Sequence, residues 1–369
     1  MMSLRDLYPL PNIDPSWTVP QEFDAVFDWE FDEGRKTLMH LYQKGKDMQW
    51  DAVNRIDWTQ ELDPENPMEL PVEVGGLYGS PLWERMSAKD RIELTRHSQS
   101  WNISQFLQGE QAALLCAAKI VQQVPDLDAK FYAATQVMDE ARHVEAYAKL
   151  LKKFDLAYPM THPLQELVNQ ALRDSRWDMT YLAMQVVIEG LALAAFGAIR
   201  DMAQNPLARM VNAYVMEDEA RHVAFGRISL KDYYPQLTQA ERDEREEFLV
   251  EACWLMRGRM TDAREVYRAL DLPEQECVDY SENSEIVQLY RQMLFQRIVP
   301  IVKDIGIWGK DIQKTYEEMG VLQYANLDPE ELQRDDEAKA KEFDARRAYV
   351  EAVAKASGDG NVSAVGHAE

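Results

Sequence analysis

Asp-Glu-Ala-Arg-His-Val occurs at positions 139–144 and again, unchanged, at 218–223, so that Glu219-x-x-His222 repeats Glu140-x-x-His143 at a fixed offset. Residues three apart on a helix share a face, and a carboxylate and an imidazole placed that way can hold one metal ion. This donor mixture suits iron or manganese. Working outward, each motif is preceded by a segment carrying one acid in an apolar run. Glu110 lies in Phe106-Leu-Gln-Gly-Glu-Gln-Ala-Ala-Leu-Leu and Glu189 in Gln185-Val-Val-Ile-Glu-Gly-Leu-Ala-Leu. These two acids are related by the same offset, and each precedes its motif glutamate by the same interval. A lone Glu-x-x-His is commonplace, and a single acid in an apolar helix can be a paired core charge. One spacing that relates all six positions is hard to reconcile with either explanation.

The helical pattern makes the geometry work. A helix that begins at the Ser87–Asp90 capping-box pair and ends near Pro125 carries Glu110 about 21 Å from its end, at about 1.5 Å per residue. The next helix, 127–154, returns over about 18 Å to Glu140. Segments 175–204 and 207–234, separated by Asn205-Pro206, repeat the arrangement. The pattern therefore predicts an all-α bundle with two duplicated two-helix half-sites and a core over residues 91–235. An N-terminal extension (1–90) carries one helix over 33–57. Accessory helices follow over 236–356, at 239–268, at 284–306 (interrupted at Pro300) and at 329–355, and residues 357–369 read as a disordered tail.

These residues resemble the ferritin-like di-iron carboxylate superfamily, in which two helices each give a Glu and two others each give Glu-x-x-His. Within it the chain is similar to the ribonucleotide reductase small subunit, the R2-like oxidases and the bacterial multicomponent monooxygenase hydroxylases, over about residues 90 to 235. The resemblance implies that Glu110, Glu140, His143, Glu189, Glu219 and His222 bind two iron ions or a manganese–iron pair, bridged by Glu140 or Glu219, with O₂ as co-substrate. It also implies a crossed support of the imidazoles, Asp139 on His222 and Asp218 on His143, with Arg142 and Arg221 holding the aspartates. Metal-bound histidines commonly give their second N–H to a carboxylate. The subfamily signals diverge: the duplicated Asp-Glu-x-Arg-His favours the hydroxylases, yet Leu193 stands where those enzymes carry threonine. Tyr147, four residues after His143, occupies the position of the radical tyrosine in the reductase small subunit. It is read as a redox candidate, with packing or hydrogen bonding as the alternative.

The expected activity is that of an oxygen-activating oxidase or monooxygenase. Phe106, Leu107, Ala113, Leu114, Gln185, Val186, Ala192, Leu193 and Phe196, around the two helix glutamates, are expected to line a pocket for a small apolar or aromatic substrate. A radical-generating subunit is the alternative, and an iron-storing ferritin, built from a shorter single bundle, fits less well. The balance of 40 Lys+Arg against 64 Asp+Glu gives a net charge of −24, which disfavours nucleic acid as a partner. Cys116, Cys253 and Cys277 are too few and scattered for a disulfide framework and fit a reducing compartment. No signal peptide is recognisable at the start. The apolar run Trp177–Ile199 is broken by Asp178, Gln185 and Glu189, which disfavours a membrane span. A cytoplasmic homodimer served by an external electron donor, a ferredoxin or a reductase, is expected.

Overall fold

A computed structural model describes Leu7, Pro9 and residues 23–28, 34–259 and 262–357; the expected C-terminal tail beyond Ser357 lies outside the described residues. Among the described residues there is no β-strand. The four expected core helices are present. They are α3 (Ala88–Gln123), α4 (Leu127–Phe154), a continuous helical run from α6 (Trp177–Tyr181) through a π-helical segment (Leu182–Ile188) into α7 (Glu189–Met202), and α8 (Pro206–Tyr233). Their boundaries follow from local chemistry. Ser87 and Asp90 close the capping box at the start of α3, each side chain accepting from the other's backbone N–H at 3.2 Å. Asp126 caps α4, and Asn205 caps α8 ahead of Pro206. The two short turns fold α3 against α4 and α7 against α8, and the pairs pack on each other through α4 and α8.

The run Trp177–Met202 is long and apolar enough to cross a membrane, but 89% of its most apolar window is buried inside the bundle, where it forms the central core helix. Around the core, α1 (Lys36–Asp47) lies across α4 and α8, α5 (His162–Arg173) packs on α3 and the π-helical segment, α9 (Gln239–Arg259) packs on α5 and that same segment, and α15 (Pro329–Ser357) covers α8. Lys119 on α3 shows how tightly these covers are tied. Its buried ammonium donates to the carbonyls of Ala171, Leu172 and Asp174, at the otherwise unsatisfied end of α5. Cys116, Cys253 and Cys277 are free and buried.

The periphery differs from the sequence reading. The helix expected over 33–57 is α1 alone, because Trp50 turns inward to meet Asp218 on α8, the exposed Asp51 turns the chain by accepting from the N–H groups of Val53 and Asn54, and the chain runs on irregularly to Pro71. The segment 239–268 divides into α9 and α10 (Arg264–Ala269). The segment 284–306 divides into α12 (Glu285–Leu294) and α13 (Ile298–Asp304), breaking at Phe295–Arg297 rather than at Pro300. Pro300 falls in the first turn of α13, where its missing N–H costs nothing. Three further helices, α2 (Pro81–Arg85), α11 (Glu274–Asn283) and α14 (Lys310–Glu318), are also present.

The π-helical segment leads directly into Glu189, and a wider turn of this kind, common at functional sites, leaves no trace in hydrophobic periodicity. It is accommodated by Gly226 on α8: a Cβ there would lie 2.3 Å from Cβ of Gln185. Alanine in a helix interior ordinarily gains about 1 kcal/mol over glycine. Here the overlap outweighs that gain, and Gly226→Ala is expected to destabilise the protein by about 1–3 kcal/mol. Because Gln185 is tied through Gln136 to Glu140 and Glu189, metal content should fall with it. Thermal melting and elemental analysis of the variant check this; an unchanged midpoint with full metal content would show that the contact yields.

Candidate metal centre

All six expected ligand side chains converge at mid-bundle and are essentially buried, none more than 4% exposed. They form two overlapping groups of potential ligand atoms: Glu110, Glu140, His143 and Glu219 in one, and Glu140, Glu189 and His222 in the other, each with its atoms within 4.8 Å of one another. His143 presents Nδ1 to Glu110 (3.1 Å), Glu140 (3.2 Å) and Glu219 (3.2 Å). His222 presents Nδ1 to Glu140 (3.1 Å), Glu219 (3.4 Å) and Glu189 (3.9 Å). Glu140 and Glu219 each direct one oxygen to each imidazole. Both motif glutamates therefore have the disposition of a bridge.

The crossed support is also present. Asp218 lies 2.9 Å from Nε2 of His143, and Asp139 lies 3.2 Å from Nε2 of His222. Arg142 donates to both aspartates, at 2.5 and 2.7 Å, and Arg221 donates to Asp218. Three residues that sequence reasoning missed complete this layer. Trp50 donates its indole N–H to Asp218 at 2.8 Å, and Gln49 joins Asp139 to Arg142. Gln136 donates to Glu140 and Glu189 at 3.0 and 2.7 Å. Gln49 and Trp50 come from the irregular segment after α1, far from the motifs in sequence. Gln136 has no counterpart in the second half, where Val215 stands at the equivalent position of the repeat. Nothing in the repeat could have pointed to them.

The donor set fits two metal ions. Oε2 of Glu189, both carboxylate oxygens of Glu219 and Nδ1 of His222 are buried without a hydrogen bond, which is costly unless a cation meets them. Four glutamates and two aspartates against two arginines, with neutral imidazoles, leave a charge of −4, which two divalent cations would neutralise. Without metals, protons take that role. Burial, reinforced by neighbouring carboxylates, pushes Glu110 and Glu189 well above the ordinary range. Burial alone would depress the imidazoles, but the surrounding carboxylates outweigh it and raise both His143 and His222. Burial alone would also raise Asp218, but Arg221, His143 and Arg142 hold it well below its usual range. Metal loading must displace these protons, so it is expected to release protons and to weaken markedly as the pH is lowered from about 8 to about 6. Metal titrations in weakly buffered solution check this, and an affinity independent of pH over that interval would contradict it.

Tyr147 is buried, donates its hydroxyl to Asn212 at 3.0 Å and packs its ring against Phe106 and Phe196. Burial, with Glu110 and Glu219 nearby, holds its hydroxyl protonated. Beside it a cavity of about 670 Å³ reaches Glu110, Glu189 and Glu219. Of the residues expected to line a pocket, Phe106, Ala113, Ala192 and Phe196 do so, while Leu107, Leu114, Gln185, Val186 and Leu193 do not. At about 100° per residue, Leu107 and Leu114 fall on the flank of α3 opposite to Phe106 and Ala113. Val186 and Leu193 repeat this on the other pair, with Leu193 facing Ala220 and Arg297 instead. The π-helical turn rotates Gln185 onto Gln136. The opposite end of the cavity, lined by the 71–78 segment and by α12, carried no sequence signal.

Comparison with known proteins decides the family. Residues 32–306 match the model of the P-aminobenzoate N-oxygenase AurF. The chain belongs to the AurF family. It is thus a di-metal, O₂-dependent oxidoreductase of the N-oxygenase type. No curated protein matches the chain. Among solved structures, a point variant of an R2-like ligand-binding oxidase with an anaerobically reconstituted Mn/Fe cofactor aligns at 17% identity and TM-score 0.53, covering 76% of this chain and 96% of that one. A second variant of that oxidase aligns at 16% identity and TM-score 0.46, with the same coverage. A Synechococcus protein with aldehyde deformylating oxidase activity aligns at 16% identity and TM-score 0.40, over 57% of this chain and 95% of that one. The first of these likenesses establishes that this AurF-family chain has the R2-like helical fold.

Proposed function

We propose that this AurF-family protein is a di-iron oxygenase that oxidises the amino group of an apolar or aromatic substrate held in the cavity beside Glu110, Glu189 and Glu219. The observation that carries this reading is the cavity itself, which ends on three of the four ligand carboxylates. Glu110, Glu140, Glu189, Glu219, His143 and His222 would hold the metals, Glu140 and Glu219 each directing one oxygen to either imidazole. Two reduced metals bound there would supply the electrons for O₂ activation, which no side chain can provide. The chain's own contribution is to orient and exclude. Asp218 and Asp139 fix the imidazole faces, Gln136 fixes Glu140 and Glu189, and Phe106, Ala113, Ala192 and Phe196 keep water from the reacting end. Electrons from an external ferredoxin or reductase, and a cytoplasmic homodimer, are part of the same reading.

Anaerobic loading with ferrous iron, followed by O₂ in the presence of 4-aminobenzoate and related amines, tests it. The expected result is substrate-dependent O₂ uptake with an N-oxygenated product detected by mass spectrometry. The alternative, a radical-generating subunit, is favoured by the position of Tyr147 near the site. A stable tyrosyl radical in paramagnetic resonance, abolished by Tyr147→Phe and accompanied by no amine oxidation, would support that alternative instead.

A further inference from the structure

From the metal centre toward one end of the bundle, five aromatic rings touch in unbroken sequence. Tyr132 of α4 lies 4.4 Å, ring centre to ring centre, from Phe225 of α8, and Phe225 lies 5.0 Å from Tyr181 of α6. Tyr181 meets Trp177 at 5.3 Å, and Trp177 meets Tyr233, the last residue of α8, at 4.6 Å. Such spacings are those of rings in direct contact. The inner end adjoins the site. Phe225 follows His222 by one turn of α8, Tyr132 precedes Gln136 by one turn of α4, and Tyr132 and His222 act on each other electrostatically. The outer end is at the surface: Tyr132, Phe225 and Tyr181 are fully buried, whereas Trp177 and Tyr233 are only partly so. From His222 to Tyr233 is about 17 Å of helix at about 1.5 Å per residue.

None of the five rings lines the cavity that reaches Glu110, Glu189 and Glu219. The ladder is therefore no path for a substrate. What it can carry is an electron, because phenol and indole are readily oxidised by one electron and rings in contact are electronically coupled. Phe225 is not oxidised in this way, but it fills the gap between the phenols of Tyr132 and Tyr181.

The chemistry is graded outward. Oxidising a phenol requires its proton to leave. The Tyr132 hydroxyl is buried with no hydrogen-bond partner, and the Tyr181 hydroxyl has only that of Ser229 beside it. Burial raises both well above the ordinary phenol range. An electron vacancy does not settle on these inner rings, since neither proton has a base to receive it. At Trp177 and Tyr233 water can take the proton, so a vacancy entering at Tyr132 is drawn to the surface.

We propose that Tyr132, Tyr181, Trp177 and Tyr233 form a discharge route through which the oxidised di-metal centre is reduced from the surface when no substrate is present. In each discharge one electron passes inward from Tyr233 or Trp177 to the centre oxidised by O₂. One proton leaves the Tyr233 hydroxyl or the Trp177 indole N–H for water. A thiol or ascorbate in solution then returns one electron and one proton to the ring. The route spares the buried ligands, His143 and His222 among them, from oxidation. It rests on the O₂ chemistry of the AurF family and not on the amine proposed as substrate.

The test is to load the protein anaerobically with ferrous iron and admit O₂ without substrate or reductant. Oxidised residues and nitroso spin-trap adducts are then mapped by peptide mass spectrometry. Metal-free protein given O₂ and loaded protein kept anaerobic are the controls, with metal content measured on every sample. The expected result is modification that requires both metal and O₂, concentrates at Trp177 and Tyr233, and is suppressed by ascorbate. Trp254 is exposed but belongs to no such ladder, and it should stay unmodified. Trp177→Phe keeps a ring but removes the indole. In that variant the Tyr233 signal should fall, oxidation should shift inward to Tyr132 and the ligand histidines, and repeated O₂ exposure should strip metal faster. Trp50, stacked on His143 at 6.4 Å, offers a shorter way out, and modification confined to it would overturn the proposal. So would Trp254 labelled as strongly as Trp177, a Tyr233 signal undiminished by Trp177→Phe, or no modification in protein that holds its metals. Discharge through the ladder without oxidation of any amine would count against the proposed function and leave the route standing.

Discussion

His143→Ala and His222→Ala are each expected to lose metal, and neither variant should retain two ions per chain. Each imidazole is fully buried and presents Nδ1 to three carboxylates. Deleting one leaves its group of ligand atoms with carboxylates alone, whose mutual repulsion then has no neutral nitrogen between them. The aspartate behind the lost ring keeps other partners. Asp218 still accepts from Trp50, Arg142 and Arg221, and Asp139 from Gln49 and Arg142. The bundle should therefore remain folded while the site empties, as circular dichroism alongside elemental analysis can establish. Full dinuclear occupancy in both variants would remove the six residues as the metal site.

The second large effect concerns the layer behind the ligands. Asp218→Asn is expected to weaken metal binding on the order of 10- to 100-fold, and Asp139→Asn comparably. The asparagine keeps the shape but cannot orient the imidazole or neutralise the arginines as a carboxylate does. The alanine variants are poorer probes than the sequence suggests. A surface aspartate could be removed at a cost below about 0.5 kcal/mol. Asp218 is instead buried between Arg142 and Arg221, and stranding buried charge costs about 3–5 kcal/mol. Asp218→Ala should therefore lower the thermal midpoint as well as metal affinity. Wild-type affinity in both asparagine variants would make the aspartates bystanders.

The contrast between what could and could not be read from the sequence has physical causes. Metal ligation demands particular side chains at helical spacing, and duplication wrote the demand twice, so Glu110, Glu140, His143, Glu189, Glu219 and His222 stood out. Asp139 and Asp218 followed because they sit beside ligands in the repeated hexapeptide. Trp50 and Gln49 lie outside the repeat, since the segment after α1 approaches the site from one side only, and Gln136 on α4 breaks it, with Val215 at the equivalent position of α8. The π-helical turn before Glu189 was invisible because all of its residues but Gln185 are apolar, and only the Gly226–Gln185 contact betrays it. The pocket was half legible: proximity to Glu110 picks out both flanks of α3, and nothing local says which flank faces open space.

The most direct test of the central claim is metal stoichiometry. After anaerobic reconstitution with ferrous iron and removal of loosely bound ions, elemental analysis is expected to find two metal ions per chain in the wild-type protein and fewer in His143→Ala and His222→Ala. A wild-type protein that retains no metal, or variants that retain as much as it does, would contradict the account.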